Sequence, residues 1–295
     1  MMLAEPVVAS MKKTISEQVL ELKERNVVPK LVALLIGSDP VSRTYVELKA
    51  KDCADVGVIS NVVDLSVAPK NESQAIVLDK ISVLNEDPSV SAVIPQMPFD
   101  GMVKESDLFS LLNPKKDADG LTPFNLGRLL RREYSLPNSL LPCTPKGVVY
   151  LLLHYGVDLK GADVAIIGRS VLVGESLRKL LQDQEATVTC LHSNSKNILE
   201  RVKRSDIVVV ASGKPPELYG SQGFRLSGSM VKEGAIVVGV GVRRDPSTNK
   251  MLFDVDTKSL KGICSFLTPN TGGVGAMTRV SLVENTIIAA RMQLD

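Results

Sequence analysis

Three short stretches of the chain combine residue types that could do chemistry together. In SDPVSRTYVELKAKDCADVG, Tyr45 and Lys49 stand four residues apart, a spacing that puts both on one helix face. A phenol beside an amine can order the ammonium and carry a proton, although an amphipathic surface pair has the same spacing. Gln96 and Pro98 end the apolar run SVSAVIPQM, at the carboxyl end of a buried strand, where open α/β sheets bind ligands. A loop that is merely polar would read the same way. Asp119, in KKDADG, has Lys115 and Lys116 as neighbours and taken alone is compatible with an ordinary turn aspartate.

A fourth stretch, ADVAIIGRSVLVGES, runs from an apolar strand through a glycine-containing turn to a helix. A helix N-terminus offers free N–H groups and a positive dipole end to a pyrophosphate. The turn spans Gly168 to Gly174 and lacks the second glycine of G-x-G-x-x-G, so alone it also fits a turn with no ligand. Enzymes that use NAD usually carry an acid at the end of the next strand, for the ribose 2′-OH. Here that end reads Cys190-Leu191-His192-Ser193-Asn194, with no acid. An acid would repel a 2′-phosphate, whereas Arg169, His192 and Ser193 could ligate one, so NADP is expected over NAD. The expected cofactor-binding set is Gly168, Arg169, Ser170, Val173, Gly174, His192, Ser193, Thr144 and Gly213.

The elements that must position these residues follow from periodicity. Val8, Met11, Ile15, Val19 and Leu22 predict a helix over 6–25. LVALLIG (31–37) is a continuous apolar run, as expected of a strand buried on both faces. The Tyr45–Lys49 segment should then be helical, with Ser42 as N-cap and Gly57 as its stop. NVVDLSV (61–67) predicts a strand, 72–85 a helix carrying Ile76, Ile81 and Leu84, and 89–97 a third strand. Such alternation argues for parallel βαβ units. The polar stretch 113–145 reads as the crossing between domains, after which Thr144 and Pro145 would cap a helix ending at Gly156. Strands at 162–168, 186–192, 206–213 and 235–242 predict a second α/β series. An extended segment at 263–269 and a helix over 278–292, expected to pack back on the first domain, complete it.

At 295 residues, with 44% hydrophobic and 23% charged residues, the chain suits about two globular domains with an extensive core. A net charge of +2 and the absence of Trp argue against nucleic acid and membrane surfaces. Four scattered cysteines without C-x-x-C point to a reducing compartment, and two histidines are too few for most histidine-based metal sites. With no secretory leader pattern and no long apolar run, a cytoplasmic address is expected.

Taken in order, TYVELKAKDCADVG, PQMPFDG, KDADGLTPFNLGRL, PCTPKG, IIGRSVLVG and TGGVGAMT resemble the bifunctional methylenetetrahydrofolate dehydrogenase/cyclohydrolase family over about 40–280. The resemblance implies an α/β fold of two domains: an N-terminal substrate domain and a Rossmann-like dinucleotide-binding domain, with the cleft between them as active site. The implied division is 1–140, completed by a C-terminal helix 278–295, for folate binding and catalysis, and 141–277 for NADP. It implies Lys49 as catalytic lysine with Tyr45 near the pterin, Gln96 supporting Lys49, Asp119 holding the pterin ring, and Gly168, Arg169 and Ser170 around the dinucleotide. Pro98, Gly272 and Gly273 complete the substrate side. A homodimer acting on a small folate is implied too.

The pattern departs from the family in places. The usual P-G-G-V-G-P-M-T reads Thr271-Gly272-Gly273-Val274-Gly275-Ala276-Met277-Thr278, and losing two prolines should loosen that loop. Glu175-Ser176 replaces a usual x-P, placing a carboxylate near the expected pyrophosphate and predicting weaker or altered cofactor binding. Gly239 and Pro95 are also unusual. Two other readings stay open on sequence alone. One is an NADP oxidoreductase of similar build, such as a shikimate-dehydrogenase-like enzyme; the other is a non-catalytic dinucleotide-sensing module.

Overall fold

Apolar runs gain most from burial on both faces, and in the computed structural model they form the strands of two parallel sheets. The structure describes residues 1–69 and 72–294. Its first elements are α1 (Glu5–Glu24), β1 (Lys30–Leu35), α2 (Pro40–Ala54), β2 (Ile59–Asp64), α3 (Ser73–Glu86), β3 (Ala92–Gln96), α4 (Glu105–Leu111) and α5 (Pro123–Leu130). There follow α6 (Cys143–His154), β4 (Asp163–Ile167), α7 (Ser176–Asp183), β5 (Thr187–Leu191), α8 (Ile198–Arg204), β6 (Ile207–Val210) and α9 (Pro216–Tyr219). The last are β7 (Ile236–Gly239), β8 (Val242–Arg244), β9 (Met251–Phe253), α10 (Thr257–Leu260), β10 (Phe266–Leu267) and α11 (Val274–Met292). Contacts group Ala9–Cys143 with Arg279–Asp295 as one compact unit, and Thr144–Thr278 with Met1–Val8 as the other.

In the first unit the sheet order is β2-β1-β3, all parallel, with Leu31 opposite Ala92 and Leu35 opposite Gln96. From Leu31 onward β1 is fully buried, and Val32, Leu34, Ile36, Ile81 and Leu108 centre the core. On α2 the buried positions Ser42, Val46, Lys49 and Cys53 recur at helical spacing. Lys49 therefore occupies a core position. Lys12 donates to Asp52 at 2.6 Å and to Asp55 at 2.7 Å, and Arg279 Nε donates to Asp52 at 2.6 Å. These bonds tie α1 and α11 to the helix that carries Lys49.

Two local expectations are corrected here. The N-cap of α2 is Asp39, whose carboxylate accepts from the Val41 N–H, while Ser42 lies inside the helix and donates to Asp39 and to the Met97 carbonyl. The stretch 113–143 is no crossing but part of the first unit. Its buried polar residues are bonded within the unit. Buried Lys116 donates to the carbonyls of Leu84 and Asp87, and fully buried Asp117 accepts from the Thr122 N–H and from Asn125. Helix α5 lies within the same stretch.

The second unit has the parallel order β10-β7-β6-β4-β5. The chain enters at β4, places β5 on one side and β6 on the other, and so creates a reversal point at the carboxyl ends of β4 and β6. Open α/β sheets bind ligands at such points. An antiparallel pair, β8 and β9, was not expected from the sequence. Residues 1–8, assigned by sequence to the first domain, group with this unit because the Met2 N–H donates to Leu267 O at 2.8 Å, the Ala4 N–H to Gly272 O at 3.0 Å, and Tyr155 to Leu3 O at 2.9 Å. Helix α6 starts at Cys143, so Thr144 lies in its first turn rather than at its cap; its hydroxyl bonds that of Thr278 at 3.0 Å. Among the described residues, no helix is long and apolar enough to cross a membrane, and no cluster of His, Cys, Asp or Glu could hold a metal ion.

Candidate active site

The inward stripe of α2 delivers the Lys49 amine to the end of β3, where it donates to Gln96 Oε1 at 2.8 Å. Gln96 Nε2 donates in turn to the Met97 carbonyl at 2.8 Å, which orients the amide oxygen toward the lysine. Burial pushes the Lys49 ammonium below its ordinary range, opposed first by the negative charge of Asp119. Burial likewise pushes the Asp119 carboxyl up, opposed by Lys49 and reinforced by Asp117. Neither charge is therefore secured as it would be in water. Lys49 is 7% exposed.

The structure thus brings Lys49, Gln96 and Asp119 together. Tyr45 lies half-buried one turn before Lys49, and Pro98 is exposed just beyond β3. The carbonyl of Pro98 crosses Gly37, where an added Cβ would lie 2.5 Å from it. Asp100 also accepts from the Ser38 N–H at 2.7 Å, so the loops after β1 and β3 are bonded to each other. Gly37 and Asp100 were not picked out from sequence.

In the second unit the turn after β4 is shaped by close backbone approach. Gly168 has φ +130° and an added Cβ would lie 2.4 Å from the Ala211 carbonyl oxygen. At Gly174 an added Cβ would lie 2.3 Å from the Gly168 oxygen. These two glycines let the turn fold onto itself and onto the loop after β6. Ser170 caps the turn by accepting from the Val173 N–H at 3.3 Å. Arg169 is exposed beside it. The Gly168 N–H donates to Leu191 O at 2.9 Å, which sets the end of β5, with His192 and Ser193, alongside. His192 Nδ1 accepts from the Asn194 N–H at 3.2 Å, so the hydrogen of its neutral form sits on Nε2. Glu175 is turned to Arg178, accepting from its Nε at 2.9 Å, which offsets the charge expected to oppose a pyrophosphate.

Gly213 follows β6, and its N–H donates to Asp254 at 2.7 Å. Asp254 is fully buried and also accepts from Ser212 at 2.8 Å. An added Cβ at Gly241 would lie 1.7 Å from that carboxylate. Arg243 Nε donates to the Gly213 carbonyl at 3.1 Å. Sequence reasoning missed Asp254 and Arg243; the glycine pattern VVGVGV, next to the tight site at Gly241, was the available signal. Thr144 bonds Thr278 rather than this turn. Gly272 has φ +73° and accepts from Ala4, and Gly273 packs against the Pro269 carbonyl, where a Cβ would lie 2.7 Å away. That loop is pinned despite its missing prolines.

A parallel sheet with a glycine-shaped turn at its reversal point, in one chain with a second α/β unit bearing a buried lysine, defines a two-unit enzyme of the dinucleotide-binding class. The comparisons with known proteins make this specific. Residues 2–119 match the tetrahydrofolate dehydrogenase/cyclohydrolase catalytic domain, and residues 142–294 the NAD(P)-binding domain of the same enzymes. The chain is 44% identical over 283 residues to the bifunctional protein FolD of Pyrobaculum aerophilum, covering 95% of this chain and 91% of that protein. Its structure is similar to the bifunctional enzyme FolD of Campylobacter jejuni (TM-score 0.88, 35% identity, 99% and 98% of the two chains covered). It is also similar to the Trypanosoma brucei methylenetetrahydrofolate dehydrogenase-cyclohydrolase, solved with NADP and an inhibitor (TM-score 0.88, 31% identity, 99% and 97% covered). The chain belongs to the tetrahydrofolate dehydrogenase/cyclohydrolase family. Membership displaces the shikimate-dehydrogenase-like and dinucleotide-sensing readings.

Proposed function

We propose that the chain oxidises 5,10-methylenetetrahydrofolate with NADP and hydrolyses the methenyl product to 10-formyltetrahydrofolate. The observation that carries this reading is the buried Lys49 amine, held by Gln96 and coupled to Asp119.

The oxidative half needs positioning more than proton transfer, because the substrate's own nitrogen lone pair expels the hydride. When bound, NADP supplies the hydride acceptor. The turn from Gly168 to Gly174 suits a pyrophosphate, since both glycines allow a close backbone fold that no side chain would permit, at the carboxyl end of β4. Arg169, His192 Nε2 and Ser193 supply donors for a 2′-phosphate, and no acid opposes it at the end of β5. Val173 and Gly213 frame the turn and the next loop.

Hydrolysis needs a base for the attacking water. A neutral Lys49 donates one hydrogen to Gln96 Oε1 and keeps its lone pair for that proton. Burial lowers the Lys49 pKa and so favours the neutral amine. Asp119 accepts from the N–H edge of the pterin, with Tyr45 and Pro98 bordering the ring. The protein acts as a cytoplasmic homodimer in one-carbon metabolism. A spectrophotometric assay with methylenetetrahydrofolate and each nicotinamide cofactor, followed by capture of formyl product, tests the reading. Turnover with NADP and formyl release is expected; cofactor binding without turnover would refute it.

A further inference from the structure

Helix α11 carries polar side chains in its buried interior: Ser281, Asn285 and Thr286 are all 0% exposed. Thr286 donates within the helix, to Leu282 O at 3.0 Å. Asn285 does not. Its amide Nδ2 donates to Ala118 O at 2.8 Å and to Leu141 O at 2.9 Å, and lies 3.4 Å from Cys143 Sγ. Asn is neutral to unfavourable inside a helix, and a buried carbonyl left without its donor is costly. The side chain is therefore explained by the two segments it joins.

Those segments bracket Asp119. On one side, Ala118 O accepts from Asn285 and also from the Cys143 thiol at 3.3 Å. On the other side, Gly120 has φ +67° and lies so close to segment 141–143 that an added Cβ would be 2.4 Å from the Leu141 carbonyl carbon. Both neighbours of Asp119 are thus fixed to one stretch of chain, and the Asn285 amide holds that stretch and the Ala118 carbonyl together. The Asp119 carboxylate, which must meet a flat N–H edge, has little freedom left.

We infer that Asn285 is a positioning residue for folate binding: its amide sets the place of the Asp119 carboxylate relative to Lys49, with the Cys143 thiol as a second, weaker tie. The inference rests on Asp119 being the pterin-facing carboxylate. A purely structural amide would lower the melting temperature of a variant and leave substrate affinity, measured well below melting, unchanged. A positioning amide raises the folate KM selectively.

The test compares Asn285→Ser and Cys143→Ala with the wild type. It measures KM for methylenetetrahydrofolate, kcat, the NADPH dissociation constant by fluorescence, and the melting temperature. Asn285→Ser should raise the folate KM about tenfold, or ~1.4 kcal/mol, with the NADPH constant within about twofold. Cys143→Ala, which keeps the Asn285 bonds to Ala118 O and Leu141 O, should raise the folate KM about two- to threefold, the size of one weak hydrogen bond. An unchanged folate KM in a destabilised Asn285→Ser protein would overturn the inference, as would equal losses for folate and NADPH. If Asn285→Ser fails to fold, Asn285→Gln decides, since it keeps the amide but changes its reach: an unchanged folate KM there overturns the proposal as well. Absence of turnover in the wild type would instead overturn the functional reading beneath it.

Discussion

The two candidate sites are built on opposite principles. Around Lys49 the chemistry lies in buried side chains, the amine bonded to the Gln96 amide and feeling the charge of the Asp119 carboxylate. Around Gly168 it lies in the main chain, with its charged and hydroxylic groups, Arg169 and Ser193, exposed at the rim. A buried polar cluster is held in low dielectric, where each partner alters the charge state of the next. A backbone cradle depends on shape, and tolerates a changed side chain except where no side chain fits. The first should therefore fail through single functional groups, and the second mainly through its glycines.

The largest effect should come from Lys49→Met. General bases contribute about 10²–10⁴-fold, so methenyl hydrolysis should fall by about that factor in a stopped assay. NADPH binding should persist, because the cradle belongs to the other unit. Retained hydrolysis would remove Lys49 as the base.

Next in size is Gln96→Glu, which replaces the amide 2.8 Å from the amine with a carboxylate. An adjacent opposite charge favours the ammonium and raises its pKa by about 1–3 units. The base is the neutral form, so the rising limb of hydrolysis against pH should move upward by that amount. At a fixed neutral pH the rate should drop about tenfold per unit. A rate loss with no displacement of the limb would mean that Gln96 contacts substrate rather than tuning Lys49.

The contrast also explains what could be read from the residues alone. LVALLIG was legible as β1 because burial on both faces leaves a continuous apolar signal, and Lys49 was legible because it stands four residues from Tyr45 in a segment resembling the family's lysine helix. The polar stretch 113–143 misled, because Lys116, Asp117 and Asn125 are polar residues bonded inside the unit, and polarity alone resembles a linker. Asp39 was passed over as a cap in favour of Ser42 because both are capping types three residues apart. Asn285 left no mark, since its partners are largely main-chain groups of distant segments, and any sequence supplies those.

On the cradle side, Gly174→Ala should do more than any rim substitution. Its Cβ would meet the Gly168 oxygen at 2.3 Å, and relieving such overpacking costs about 1–3 kcal/mol. A loss of about tenfold to a hundredfold in NADPH affinity by titration is expected, with folate KM little changed. Unaltered cofactor affinity would show that the turn has more slack than its backbone contacts imply.

The smallest effect should be that of Arg169→Ala. The side chain is exposed, so its attraction to a 2′-phosphate is screened, and surface ion pairs contribute about 0.2–1 kcal/mol. His192 Nε2 and Ser193 remain as donors in the variant. The ratio of kcat/KM for NADP over NAD should therefore narrow by about two- to fivefold, while the NAD rate itself stays level. Raising the ionic strength should narrow the wild-type ratio in the same direction, since salt screens exposed charges most. A ratio that collapses completely would mean that Arg169 is desolvated against the phosphate and that this rim behaves like the buried cluster around Lys49. A ratio that does not move would hand discrimination to His192 and Ser193.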